Sequence, residues 1–287
     1  MKSGPNFLIA ERARAVALAL GFLSICSGCV GTSARQFLHD SAGYGFDEEL
    51  VGTPEFSIQI AYRPAVTALS THQSLRVYIE GDGRAWLSKS QPSSNPTPSD
   101  AIALKLATED ISGLAVLYVA RPCQFSGRQD AACNQEVWTM GRYSESVVRS
   151  IDDVISQYAA IARSESIVLI GYSGGGTIAA LVAARRDDVN ELVTIAAPLD
   201  HTLWTEHHGV SPLVGSLNPI DYPDHLVGIK QLHFVGDDDA VVPETIVDSY
   251  LKRLGNHQRA AKRVVEHFGH VCCWTDSWST LQTEVEE

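Results

Sequence analysis

Residues 167–176 constrain the fold of this chain more than any other stretch. Four apolar, strand-favouring residues lead into Gly171-Tyr172-Ser173-Gly174-Gly175, and a helix-compatible segment rich in alanine follows over 177–186. A serine held at a sharp turn between strand and helix projects its hydroxyl above the sheet. The N–H of Gly174 would then lie at the helix N-terminus, where unpaired donors favour an oxyanion. The pattern predicts a nucleophilic Ser173; a glycine-rich turn in an ordinary strand–helix unit is the plainer alternative.

Strands and helices alternate along the rest of the chain. Hydrophobic patterning predicts strands at 57–62, 74–80, 114–120, 191–197, 231–235 and 263–267, and helices at 101–108, 143–163, 244–254 and 274–284. Such alternation implies an α/β fold, a mostly parallel central sheet with helices on both faces. The length of 287 residues suits one domain, which we expect over 56–287.

The N-terminal segment is typical of an export signal. Three basic residues precede an apolar run over 15–25 that is too short to span a bilayer, and Ser27-Gly28 then precede Cys29. This order resembles a bacterial lipoprotein signal over 1–28, with lipid attached to Cys29 and residues 29–55 as an irregular tether. Processing before Cys26, or a plain secretory signal cut nearby, are the alternatives. We therefore expect export to the cell envelope and a lipid anchor to a membrane that the domain does not span.

The charge of the chain excludes some partners. The sequence has 22 Lys and Arg against 34 Asp and Glu, and removal of residues 1–28 would take away three basic and one acidic side chain, leaving a net charge of −14. Such a surface repels nucleic acid and is not attracted to anionic lipid. We expect no nucleic-acid partner, and any membrane attachment would have to come from the lipid.

Four cysteines lie beyond the signal. In an oxidising compartment the simplest pairing is Cys123 with Cys133, which closes a short loop. The neighbours Cys272 and Cys273 could form a strained vicinal disulfide or remain free thiols. A zinc site made of these two and His270 matches no common ligand spacing, so we expect no metal.

Two further segments complete a catalytic pattern. An acidic run, residues 236–243, follows one predicted strand end, and Phe268-Gly269-His270 follows the next. From about residue 56 onward the chain resembles the α/β-hydrolase family, which orders its triad as serine, acid, histidine. The resemblance implies Ser173 as nucleophile, His270 as base and Asp239 as the acid that fixes the histidine tautomer.

The acid and the base each have rivals nearby. Asp239 matches the position of the family's acid, whereas Asp237 or Asp238 would serve if the loop were shifted. His267 falls within a predicted strand and is interpreted as an ordinary strand histidine. His270 follows a glycine and can turn back over the sheet.

A second oxyanion donor is expected from residues 80–84, after the strand at 74–80. The family often has His-Gly here, and this chain has Glu80-Gly81. The resemblance implies the backbone N–H of Asp82 as the donor, provided that the Asp82 carboxylate points away. An ordinary Gly-Asp-Gly turn is the alternative.

The leading hypothesis is a serine hydrolase that cleaves a small ester or related acyl compound through an acyl-serine, with no cofactor. Peptidase or acyltransferase activity on the same triad is a second enzymatic reading. A non-catalytic envelope lipoprotein on a hydrolase scaffold is the third. Residues 198–229 predict a short cap or lid, and neither the acyl chain length nor the oligomeric state follows from the sequence.

Overall fold

An eight-stranded sheet organises the part of the chain that the structure describes. The computed structural model describes residue 1 and residues 33–66, 73–125, 131–255 and 258–285, and 32–287 cluster as one compact unit. Residues 2–28 of the predicted signal, Cys26 among them, and the predicted lipidation site Cys29 therefore lie outside the described residues. The strands, in chain order, are β1 (Asp47–Gly52), β2 (Ser57–Arg63), β3 (Ser74–Ile79), β4 (Trp86–Ser88), β5 (Gln91–Pro92), β6 (Ala115–Val119), β7 (Ser166–Tyr172), β8 (Val189–Ile195), β9 (Lys230–Gly236) and β10 (Ala260–Val265).

The sheet is mostly parallel, as expected from the alternation of elements. Its strand order is β1-β2-β6-β3-β7-β8-β9-β10, and β4 and β5 form a separate two-stranded hairpin. Strands β1 and β2 pair antiparallel, as do β2 and β6, and the other neighbours in the large sheet pair parallel. Because β7, β9 and β10 run in the same direction, the loops that follow them all lie at one edge of the sheet.

Helices cover both faces of the sheet. They are α1 (Ala34–Asp40), α2 (Ile102–Thr108), α3 (Gln135–Trp138), α4 (Glu145–Ala162), α5 (Gly174–Ala183), α6 (His201–His208), α7 (Pro223–Leu226), α8 (Glu244–Leu254) and α9 (Trp274–Leu281). One core cluster joins α4, α5 and α8 to one face, and a second joins α1, α2 and α9 to the other. Within the described residues, no helix is long and apolar enough to cross a bilayer.

Strand β3 illustrates why both faces are apolar. Leu75, Val77 and Ile79 point into the core beneath α4 and α5, whereas Tyr78 packs in the opposite core against Trp278 of α9. Alternate side chains of a strand face opposite sides of the sheet, so a strand that is covered on both faces is apolar along most of its length.

The prediction of an irregular tether over residues 29–55 is wrong for the described part, residues 33–55. The Ser33 hydroxyl accepts a hydrogen bond from the N–H of Gln36 and so caps α1, and β1 pairs with β2 along the sheet edge. Ala34, Leu38, Phe46 and Val51 are all buried. The sequence signal was weak because five of the six β1 residues face solvent, so the strand shows no apolar alternation. The folded unit therefore includes residues 33–55.

Candidate active site

Ser173 lies at a strained turn between β7 and α5. Its backbone dihedrals are φ 51° and ψ −127°, and its N–H donates to the carbonyl of Ile195 at the end of β8 (2.8 Å). A non-glycine residue with positive φ is costly, and such strain persists only where the surroundings enforce it. The α5 helix begins at Gly174, three residues before the predicted segment, so the serine directly precedes the first helical residue.

Close packing around the turn requires glycine at two positions. A side chain at Gly171 would clash with the backbone of Gly175 and Gly176, and one at Gly175 would clash with the carbonyl of Ile79 in β3. Strand β7, helix α5 and strand β3 therefore approach one another closely, as the spacing of the glycines predicts.

The structure brings together the three residues expected to form a triad. His270 Nε2 lies 3.0 Å from Ser173 Oγ, and His270 Nδ1 lies 2.8 Å from Asp239 Oδ2. Because a carboxylate only accepts hydrogen bonds, Nδ1 carries the proton and Nε2 is free to accept one from the serine. The Asp239 side chain is fully buried, and that of His270 is 16% exposed. This arrangement can activate a serine hydroxyl for acyl transfer.

The rival acids and the rival histidine lie elsewhere. Asp237 and Asp238 are exposed, and the Asp237 carboxylate accepts a hydrogen bond from the backbone N–H of His267 (2.6 Å). Strand β10 ends at Val265, so His267 stands in the following turn with φ 65°, not inside a strand as predicted. Its side chain is exposed, so the structure separates it from the triad.

Two aromatic side chains hold the backbone of His270. Tyr172 Oη donates to the His270 carbonyl (2.9 Å), and Trp274 Nε1 also contacts that oxygen (3.1 Å). Tyr172 occupies the variable position of the Gly-x-Ser-x-Gly motif, so the sequence pattern gives it no assigned role. The only signal for it was its place directly before the nucleophile.

The loop after β3 lies beside Ser173, as predicted. A Cβ at Gly81 would be 3.2 Å from the Tyr172 ring and 3.4 Å from Ser173 Cβ, so the backbone of residues 81–82 borders the nucleophile. Gly174 is the first residue of α5, and its N–H has no partner within the helix. The N–H groups of Gly174 and Asp82 are thus the two candidate oxyanion donors.

The Asp82 carboxylate is held by cations. It lies 2.7 Å from Arg142 Nη1 and 3.0 Å from Arg121 Nη1, and Tyr143 Oη donates to it at 3.0 Å. Burial raises the pKa of Asp82, but Arg142 and Arg121 outweigh that effect and keep its pKa below the usual value. A Cβ at Gly174 would overlap this carboxylate, so glycine is required there too. The ion pairs neutralise a charge that would otherwise oppose an oxyanion.

Glu80 is a buried acid, and the sequence did not predict its environment. Its carboxylate accepts hydrogen bonds from the N–H of Gly81 (2.9 Å), from the N–H of Ala103 (3.4 Å) and from Tyr118 Oη (3.2 Å). Burial raises the pKa of Glu80 to about 7, although these hydrogen bonds oppose the shift. In the sequence it was visible only as a replacement for the histidine common in the family.

A cleft of about 420 Å³, here called the central cleft, opens above the nucleophile. Ser173, His270 and the 81–85 loop line it, together with Trp204 of α6 and Val241 of the loop over residues 237–243, here called the acid loop. Trp204 Nε1 donates to the Val241 carbonyl (2.7 Å), and the His208 ring nitrogen lies 2.8 Å from the same oxygen. The predicted short cap over 198–229 is therefore built from α6, α7 and a 3₁₀ turn, and α6 is tied to the acid loop.

Both cysteine pairs are bonded in the structure. Cys123 and Cys133 form a disulfide with a Cα–Cα distance of 5.6 Å. Cys272 is bonded to its neighbour Cys273, two residues after His270. No group of three or more His, Cys, Asp or Glu among the described residues is arranged to hold a metal ion.

Comparison with known proteins supports the resemblance. A family model described as a PGAP1-like alpha/beta domain matches residues 128–220, which include Ser173 but neither Asp239 nor His270. No curated protein matches the chain.

Solved structures share the fold at low sequence identity. An alpha-beta serine hydrolase homologue from Coxiella burnetii is 16% identical with a TM-score of 0.55, over 83% of this chain and 95% of that one. A Pyrococcus furiosus esterase is 12% identical with a TM-score of 0.61, over 89% and 94%. A Mycobacterium tuberculosis puromycin-hydrolyzing peptidase is 15% identical with a TM-score of 0.61, over 84% of this chain and 38% of that one.

These neighbours define the fold as that of the alpha/beta serine hydrolases. The family match adds a similarity to a PGAP1-like alpha/beta domain over residues 128–220.

Proposed function

We propose that this protein is a serine hydrolase that cleaves an ester or related acyl compound through an acyl-serine intermediate. The proposal rests on two hydrogen-bond contacts. Ser173 Oγ lies 3.0 Å from His270 Nε2, and His270 Nδ1 lies 2.8 Å from Asp239 Oδ2. The central cleft gives this group space for a small-molecule substrate, since about 420 Å³ falls within the range of roughly 300–1,000 Å³ typical of ligand sites.

The geometry supports a two-step reaction. Ser173 Oγ attacks the acyl carbon while His270 Nε2 takes its proton, and the N–H groups of Gly174 and Asp82 bind the resulting oxyanion. The tetrahedral intermediate collapses, His270 gives the proton to the leaving oxygen, and the alcohol departs. Water then attacks the acyl-serine with His270 again as base, which releases the acid and restores Ser173. Asp239 keeps the imidazole in the required tautomer throughout.

A fluorophosphonate probe, which reacts only with an activated serine, tests this proposal. We expect labelling of the wild type and its loss in Ser173→Ala, with turnover of acyl esters falling by about 10⁴-fold or more. The matched control is Ser279→Ala, which removes a serine outside the central cleft and should leave labelling intact. Folded protein that takes no label would contradict the proposal and favour a non-catalytic scaffold.

Amide cleavage is a second candidate, favoured by the similarity to a puromycin-hydrolyzing peptidase. Because the same triad serves ester and amide cleavage, peptide anilides belong beside esters in the substrate panel. Acyl transfer to an alcohol in place of water would appear as a new ester whose amount grows with added alcohol.

We also propose, from the sequence, that the protein is exported and lipidated at Cys29. The support is the basic start, the short apolar run and Ser27-Gly28-Cys29. Metabolic labelling with a fatty-acid analogue should mark the wild type and not Cys29→Ser. Labelling lost only in Cys26→Ser would move the processing site upstream.

A further inference from the structure

A second cavity of about 400 Å³, here called the side cavity, adjoins the central cleft against helix α6. Leu87, Met140, Val210 and Leu213 contribute to its lining. The residues that line both spaces are Trp86, Arg142, Trp204 and Val241. Because the two spaces share these four lining residues, the side cavity lies directly beside the cleft that contains Ser173.

Arg142, Trp204 and Val241, three of the four residues that line both spaces, use polar groups in hydrogen bonds within the protein. Arg142 donates from Nε to the Thr139 carbonyl (2.7 Å) and from Nη1 to Asp82 (2.7 Å). Trp204 Nε1 donates to the Val241 carbonyl. The side cavity is also lined by Ser88 and Ser211, but most of its remaining surface is indole, thioether and aliphatic. Such a surface favours hydrocarbon and penalises a charged or unpaired polar group.

Apolar side chains are exposed at the rim of these spaces. Leu87 is 50% exposed and Val241 is 41% exposed. Exposed Lys89 also lines the side cavity, and its ammonium donates to the His208 carbonyl (3.1 Å). A hydrocarbon chain lying across this rim would remove both apolar side chains from water, which is favourable in proportion to the area covered.

We propose that the substrate carries a flexible aliphatic arm of medium length, which lies in the side cavity while the scissile carbonyl lies at Ser173. This inference rests on the proposed function, and it names the substrate class as medium-chain esters over short or charged ones. The arm belongs either to the acyl group or to the alcohol, and the two are separated by experiment.

Two ester series test the proposal. The first varies the acyl chain of p-nitrophenyl esters from two to twelve carbons, and the second varies the alcohol of acetate esters over the same range. Each methylene that leaves water should raise kcat/KM by about fourfold until the cavity is full. A rise and plateau in the first series assigns the arm to the acyl group, and in the second to the alcohol. Flat profiles in both, with Ser173 still labelled by fluorophosphonate, would overturn the inference and leave the hydrolase intact.

A matched pair of variants tests the location. Val210→Trp fills the side cavity and should lower the octanoate-to-acetate ratio of kcat/KM by on the order of tenfold or more. Val214→Trp makes the same change at a residue that is 74% exposed and outside both cavities, so the ratio should stay unchanged. If Val210→Trp fails to fold, Leu87→Asp places a charge at the exposed rim and should lower the ratio likewise. The proposal is contradicted if a folded Val210→Trp or Leu87→Asp variant has the same octanoate-to-acetate ratio of kcat/KM as the Val214→Trp control.

Binding to Ser173→Ala provides a readout that does not need turnover. Calorimetry with the octanoate and acetate esters of the series should show the longer ester binding at least tenfold more tightly, and this preference should vanish in the Ser173→Ala/Val210→Trp double variant. Equal affinities in Ser173→Ala would overturn the inference. Chain-length-dependent binding together with a wild type that neither turns over nor takes label would instead contradict the proposed hydrolase.

Discussion

At the scale of single residues, hydrogen bonds distinguish Asp239 from the acids beside it. Its Oδ2 contacts His270, while its Oδ1 accepts from the backbone N–H groups of Val241 and Val242, both at 2.8 Å. Three donors around one buried carboxylate fix its orientation. The backbone contacts thus orient the Asp239 carboxylate toward His270.

We predict that Asp239→Asn lowers kcat by about 10⁴-fold, because the amide can no longer fix the tautomer with a proton on Nδ1. The matched control, Asp237→Asn, changes an exposed carboxylate that binds only the His267 N–H and should cost little. Steady-state kinetics of both variants on one ester gives the comparison. A larger loss in Asp237→Asn would mean that the acid is assigned to the wrong residue.

Glu80 leads to a prediction about pH and stability. Its pKa rises from 4.5 in the unfolded chain to about 7 in the fold, chiefly because of burial. The folded state therefore binds more protons between these values, and the free energy of unfolding falls as pH rises from about 4.5 to about 7. The loss is on the order of 3 kcal/mol for this group.

Glu80→Gln should remove that dependence. The stability of the wild type minus that of the variant should be constant below about pH 4.5, fall through the interval and level off above pH 7. Urea unfolding at a series of pH values measures the difference. A difference that stays constant across the interval would show that Glu80 does not titrate there.

The sequence predicted the triad residues but not the groups that position them. A nucleophile motif and an ordered acid and histidine are short-range patterns, visible in the letters themselves. The carbonyl contact from Tyr172 joins residues 98 positions apart, and Glu80 and Tyr118 are 38 apart. Such contacts depend on which strands become neighbours in the sheet. Local patterns in a single sequence do not reveal the order of the strands.

At the scale of elements, predictability follows the strength of the apolar pattern. Helix α4 was predicted within two residues at each end, because Val147, Ile151, Val154 and Tyr158 recur on one buried face. Helix α6 was not predicted, since its sequence has few apolar residues and only His201 and Thr205 are buried. Its position is set by contacts with the acid loop, which are long-range.

The disulfide between Cys123 and Cys133 ties the loop after β6 to the segment that leads into α3. Closing a loop of this size should stabilise the fold by about 2–3 kcal/mol. We predict that Cys123→Ser/Cys133→Ser lowers the free energy of unfolding by that amount while Ser173 still takes the fluorophosphonate label. Chemical denaturation under non-reducing conditions measures it. Unchanged stability would mean that the bond adds nothing to the folded state.

At the scale of the whole molecule, the sheet converts sequence separation into proximity. Ser173, Asp239 and His270 follow β7, β9 and β10, and these parallel strands end at the same edge. Ligand sites of open parallel sheets lie outside the carboxyl ends of the strands for this reason. The fold class followed from alternating elements alone, but the N-terminal edge did not, because a mostly exposed edge strand lacks an apolar pattern.

The N-terminal edge gives a prediction for the whole fold. A chain that starts at residue 56 would lose α1 and β1, uncover β2 and remove the buried side chains of Leu38, Phe46 and Val51. At about 1.5–3 kcal/mol for each buried side chain, the loss approaches the total stability of a typical domain. Thermal denaturation should show a much lower Tm than for a chain that starts at residue 33. Equal Tm values would restore the interpretation of this segment as a tether.

The contact between Tyr172 and the histidine loop has a mechanical consequence. Two consecutive residues contact His270 at separate points. Tyr172 binds its backbone carbonyl, and Ser173 binds its ring. Because Tyr172 and Ser173 are neighbours at the end of β7, a shift of that strand end would move both contacts to His270 together. The nucleophile and one anchor of the histidine loop are thus carried by the same strand end, and not by two separate loops.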